Sequence, residues 1–129
     1  MKYRSKIIAH DTEGLQIISA CCAGAEVKVS DIKYLQNNKV FLISLQRSKI
    51  ETENEDKKIN SICKFEFIEK VKSKNIQQEN PDQKLELLAM DYLKNKESYE
   101  INLIFANNAY IALSSEIIDV NLEDQQKID

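Results

Sequence analysis

The sequence predicts an α+β domain: a curved, mainly antiparallel sheet of about six strands with an N-terminal helix packed on one face. Two observations carry this reading. A helical apolar period lies near the N-terminus, where Leu15, Ile18 and Cys22 recur at i, i+3 and i+7. From Val27 onward the apolar period is mostly two, punctuated by paired asparagines at 37–38 and 107–108 that suit tight hairpin turns. The chain has 129 residues, 43% of them hydrophobic, which is enough for a single domain (1–129) with a real core and no metal or disulfide staple.

Residues 5–9 (Ser-Lys-Ile-Ile-Ala) read as a short first strand. Asp11 or Thr12 offers an N-cap, and Glu13 suits the first turn of a helix over about 12–23. Ile17 and Cys21 widen the Leu15, Ile18, Cys22 stripe, and Gly24 supplies the stop. Gly14 weakens the first turn by about 1 kcal/mol relative to Ala. Val27 and Val29 then share one parity, while Ile32 and Tyr34 take the other. A bulge near Ser30-Asp31 would place all four on one face. Asn37-Asn38 makes a hairpin turn into Val40–Leu45, which is apolar on both parities as a central strand should be.

The charged run 51–58 has no period and reads as a solvated loop. A clear alternation follows, with Cys63, Phe65, Phe67 and Val71 on one face and Lys64, Glu66, Lys70, Lys72 and Lys74 on the other. Residues 77–82 form a loop. Residues 83–95 fit either period: Leu85, Leu88 and Tyr92 suit a helix behind an Asn80-Pro81-Asp82 start, whereas Leu88, Met90 and Tyr92 suit a strand. Tyr99, Ile101, Leu103 and Phe105 alternate, Asn107-Asn108 turns the chain, and Ile111 and Leu113 resume the alternation. Ile118 and Leu122 at i, i+4 predict a closing helix over 115–123, followed by a frayed polar tail at 124–129. A sheet rolled into a barrel and closed by a terminal helix, as in pleckstrin-homology-like folds, is one arrangement of these elements; the comparison is of fold alone.

The segments DTEGLQIISACCAGAEVKVSDIKYL, FEFIEKVKSKNI, LELLAMDY and INLIFANNAYIALSSEIIDVNLEDQ together resemble an uncharacterised alphaproteobacterial family, domain of unknown function 2948. The family's helix of the type Asp-x-x-x-Leu-x-x-Ile-Ser-Ala is matched by Asp11, Leu15, Ile18, Ser19 and Ala20. Its Val-x-Asp-Ile-x-Tyr-Leu strand is matched by Val29, Asp31, Ile32, Tyr34 and Leu35, and its Leu-x-Asp close by Leu122 and Asp124. The resemblance implies no activity, cofactor or catalytic residue. It implies a strand for residues 85–92, a Gly-Gly type turn where this chain has Asn107-Asn108, and residues other than cysteine at positions 21 and 22 of relatives, which counts against a thiol site.

The net charge of −3 argues against nonspecific binding to nucleic acid or acidic membranes. No apolar run approaches the roughly 20 residues of a membrane span, and the N-terminal apolar stretch is too short for a signal peptide. Three cysteines, two of them adjacent, suggest no disulfide framework, so the expected compartment is the reducing cytoplasm. Neighbours on a helix point about 100° apart, so Cys21 and Cys22 do not converge on a metal. His10 lies nearly 18 Å along the chain from Cys22 at about 1.5 Å per residue, too far to serve it as a base. The expectation is therefore packing, with Cys22 central in the apolar stripe and Cys21 at its margin. Lys64, Lys70, Lys72 and Lys74 form the best candidate for an anion-binding face, though the adjacent Phe65 and Phe67 project to the other side, unlike the stacking platforms of single-strand binders. Asp31 to Tyr34 mixes polar groups at the expected bulge, where functional side chains often sit and where an Asp also often bonds local backbone. Two glycines cannot build a phosphate loop, and no nucleophile elbow is present.

These readings favour a non-catalytic binding or interaction module with no cofactor and no metal, acting through a protein partner or through self-association by an exposed strand. The alternative is a small-molecule-binding protein or enzyme with a pocket between helix and sheet.

Overall fold

Almost all of the apolar alternation becomes strand. The computed structural model describes residues 6–52 and 55–125. Strand β1 (Lys6–Ala9) leads into helix α1 (Thr12–Cys22), followed by β2 (Ala25–Leu35), β3 (Val40–Thr52), β4 (Glu55–Phe65), β5 (Ile68–Lys74), β6 (Lys84–Lys94), β7 (Tyr99–Phe105), β8 (Ala109–Ser115) and β9 (Val120–Asp124). The nine strands form one antiparallel sheet in the order β1-β9-β4-β3-β2-β6-β7-β8-β5. The ladder is not closed: β1 and β5 are its two edges. The α+β class with one helix on a face is as expected; about six strands become nine.

Three of the expected elements are corrected by the structure. First, 63–74 is two strands. Phe67 takes a left-handed φ of 62°, which a bulky residue adopts only at a forced corner, and this ends β4 and starts β5 at the far edge of the sheet. Phe67 is consequently 47% exposed instead of sharing the core face of Phe65. Second, the expected closing helix over 115–123 is a bend followed by β9, because Ile118, Val120 and Leu122 are buried at a period of two. Asp124, expected in the frayed tail, is buried at the end of that strand, while residues 126–129 lie outside the described residues. Third, most of the expected loop 51–58 is ladder: β3 and β4 run on as a long hairpin whose register continues through Ser48↔Lys58 to Thr52↔Glu55. Backbone pairing needs no apolar side chain, so a charged run without period can still extend a hairpin. Residues 53–54 lie outside the described residues.

Residues 83–95, ambiguous in the sequence, form strand β6. Its register slips between Leu87 and Ala89, so Leu85 and Leu87 before the slip and Met90 and Tyr92 after it face the core, while Leu88 is left 46% exposed. That bulge blurred the alternation. The first hairpin turn also differs in detail: Gln36–Asn38 form a 3-10 turn and Lys39, not an asparagine, takes the left-handed conformation. At Asn107-Asn108 both residues do have positive φ, as a two-residue hairpin turn requires.

Helix α1 starts where Asp11 Oδ1 accepts from the Gly14 amide at 2.7 Å and ends at Gly24, whose φ is +84°. Leu15, Ile18 and Cys22 are buried, Cys21 is half-buried, and Ile17 is exposed, so the stripe is narrower than expected. Gly14 has a packing reason: a Cβ there would lie 2.9 Å from Ala9 Cβ, so its absence lets α1 settle onto β1. The helix also completes β6, because Ser19 Oγ accepts from the Met90 amide beside the bulge at 2.8 Å. The core fills the space between α1 and the inner face of the sheet, with Phe41 and Phe65 edge-to-face at 6.0 Å.

Candidate functional site

The cysteines and His10 sit where packing puts them. Cys22 and Cys63 are fully buried. Burial pushes the Cys22 thiol up to about 12, against a smaller lowering by the Arg47 charge; Cys63 is also raised, first by burial and then by Cys22. Thiols held protonated are poor nucleophiles and poor ligands. His10, whose side chain is 72% exposed, lies between β1 and α1 and approaches Asp119 at 3.9 Å. Among the described residues no three His, Cys, Asp or Glu side chains gather as a metal site needs.

A buried polar cluster went unnoticed in the sequence. Arg47 and Asp124 are 8% and 4% exposed. Arg47 donates to Asp124 Oδ1 from its terminal nitrogen at 2.7 Å and from Nε at 3.3 Å; Nε also donates to Ser61 Oγ at 3.0 Å, and Ser61 donates to Asp124 Oδ1 at 2.7 Å. Three adjacent strands, β3, β4 and β9, thus share one ion pair on the inner face. A signal existed: Arg47 continues the parity of Phe41, Ile43 and Leu45, and Asp124 continues that of Val120 and Leu122. The i, i+4 spacing of Ile118 and Leu122 masks the second half.

The lysine row is divided. Lys64 lies on β4 inside the sheet and meets Glu66 at 3.6 Å, whereas Lys70, Lys72 and Lys74 lie exposed on the edge strand β5. No carboxylate pairs with these three among the described residues.

A concavity lies on the outer face, at the bulge in β2. Val27 pairs with Leu45 and the register resumes at Ile32↔Ile43, so residues 28–31 span a single β3 residue, Ser44. The displaced segment bonds elsewhere: the Val29 amide donates to Gln83 O at 2.9 Å and the Ser30 amide to Pro81 O at 3.0 Å. Where β2 parts from β3 a cleft of about 570 Å3 opens. Glu26, Lys28 and Asp31 line it from β2, Ser44 and Gln46 from β3, and Asn60 and Ile62 from β4. Lys84 of β6 closes one side and pairs with Glu26 at 3.3 Å; Gln125 closes another, its amide donating to Asn60 O at 2.7 Å. Ser61 also borders the cleft and so links it to the buried Arg47–Asp124 pair. The expected bulge is where the sequence placed it, and Asp31 is among the residues that line the cleft. The cleft itself was illegible, because it draws on residues scattered from position 26 to position 125.

A family model described as a protein of unknown function (DUF2948) matches residues 5–128. No curated protein and no solved structure matches the chain.

Proposed function

The chain belongs to the DUF2948 family of proteins of unknown function, and from that premise we propose that it is a non-catalytic binding module that holds a small polar molecule in the cleft beside the β2 bulge. The observation that carries this is the cleft itself: about 570 Å3, within the roughly 300–1,000 Å3 of small-molecule sites, and formed by a bulge that costs the sheet its regular ladder. Its lining selects the ligand class. Carboxylates of Glu26 and Asp31 stand with the ammonium groups of Lys28 and Lys84, and Gln46 and Asn60 add carboxamides. Both signs of charge around neutral hydrogen-bonding groups suit a zwitterion or a polyhydroxylated acid better than an apolar compound.

Binding without turnover is supported by the state of the candidate nucleophiles. The buried thiols are held protonated, and the Ser61 hydroxyl is engaged by both Arg47 and Asp124 inside the sheet. A pocket between helix and sheet is less favoured, since Leu15, Ile18 and Cys22 are tightly buried there with Leu87 and Met90.

The test is a thermal-shift panel of amino acids, hydroxy acids and sugar acids. A saturable rise in Tm that disappears in Glu26→Gln/Lys84→Met is expected. A rise that survives those replacements places the ligand elsewhere, and chemical conversion of a bound compound contradicts the non-catalytic reading.

A further inference from the structure

We infer that the free edge of β5 docks an extended acidic segment of a partner protein, which adds to the sheet as a further strand. This inference is independent of the cleft, which lies at the β2–β3 parting.

The two edges of the sheet are unequal. β1 has four residues and β5 has seven. At its start β5 is tied down: the Ile68 amide donates to Lys39 O at 2.8 Å, Tyr34 donates to Ile68 O at 2.9 Å, and Glu69 pairs with Lys39 at 3.1 Å. From Lys70 to Lys74 the strand is registered with β8 alone, so among the described residues its outer row of backbone groups has no ladder partner. Such a row is a template for strand addition.

Charge decides which strand fits. Lys70, Lys72 and Lys74 project from one face at every second residue, all exposed and none with a carboxylate partner among the described residues, in a chain whose net charge is −3. Lys39, Lys64 and Lys84, in contrast, each have one. An added strand places its own same-face residues about 4.5–5.5 Å from these lysines, where acidic side chains at alternate positions attract and basic ones repel. A second copy fits poorly: antiparallel pairing about Lys72 sets Lys70 opposite Lys74 and Lys72 opposite itself. Edge lysines also guard against indiscriminate pairing, and the same repulsion makes this edge selective for acid. On the other face Val71 is half-buried against the core, so the alternate positions of the incoming segment meet an apolar surface.

The probe is an acetylated and amidated peptide of four Glu-Val repeats, titrated by fluorescence anisotropy into the full chain. Saturable binding is expected, with slowed amide exchange from Lys70 to Lys74. Replacement K70Q/K72Q/K74Q should weaken binding about tenfold or more, while Lys33→Gln, exposed on β2 and outside the cleft, should not change it. A peptide of the same charge with alternate backbone nitrogens methylated keeps the electrostatics and loses the ladder, and should not bind. Equal binding of the methylated peptide or of an oligothymidylate, an unchanged exchange pattern at Lys70–Lys74, or a peptide-free dimer that protects those amides would each overturn the inference.

Discussion

At the scale of single residues, burial controls the chemistry of the polar and sulfur groups. Cys22 is raised from its ordinary 9.0 to about 12 by burial. Between those pH values the folded chain keeps a proton that the unfolded chain has released. The stability tied to that proton is whole below about pH 9 and is lost as the pH climbs toward 12. Urea melts at intervals from about pH 8 to about pH 11 should therefore show a steeper decline for the native chain than for Cys22→Ala. Parallel slopes would mean that the thiol ionises without penalty. The Arg47–Asp124 pair makes a second residue-scale prediction. Arg47→Met withdraws the guanidinium from a buried carboxylate, and should cost about 3–5 kcal/mol, whereas Arg47→Met with Asp124→Leu should cost less than the single change. A double-mutant cycle by denaturation reads the difference. Of these residues, the sequence revealed Cys22 through its place in the helical stripe. It concealed the ion pair, because its halves lie 77 positions apart and meet only through the ladder between β4 and β9.

At the scale of elements, legibility followed regularity. The α1 stripe, the β7–β8 hairpin and the parity switch in β2 were readable because each obeys one period with a recognisable break. β6 was ambiguous because a bulge shifts its parity at Leu88, and β9 imitated a helix because Ile118 and Leu122 satisfy i, i+4 as well as a period of two. The β4–β5 corner was hidden by an alternation that runs through Phe67 without a turn residue. Helix α1 yields a prediction against propensity. Gly14→Ala should favour the isolated helix by about 1 kcal/mol. In the protein the added methyl meets Ala9 at 2.9 Å, with backbone close behind it, so the variant should lose about 1–3 kcal/mol as an overpacked contact does. A rise in Tm would show that β1 can move aside.

At the scale of the whole molecule, the fold is an open antiparallel sheet with one helix packed on it, and the β2 bulge is one of several interruptions of its register. No described helix is long and apolar enough to cross a membrane. The neighbours β9-β4 and β2-β6 are distant in sequence, and such non-local pairing predicts folding in milliseconds to seconds, to be measured by stopped-flow refolding. Fold class was legible because it depends on periods that each segment carries by itself. The cleft was not, since it arises only when β2, β3, β4 and β6 come together. Its role is tested most directly by amide chemical-shift mapping of the 15N-labelled chain as the tightest compound from the thermal-shift panel is added. Perturbations concentrated at Glu26, Lys28, Asp31, Ser44, Gln46 and Asn60 are the predicted result. Perturbations centred on Leu15, Ser19 and Met90, with the cleft unmoved, would place the ligand between helix and sheet and contradict this account.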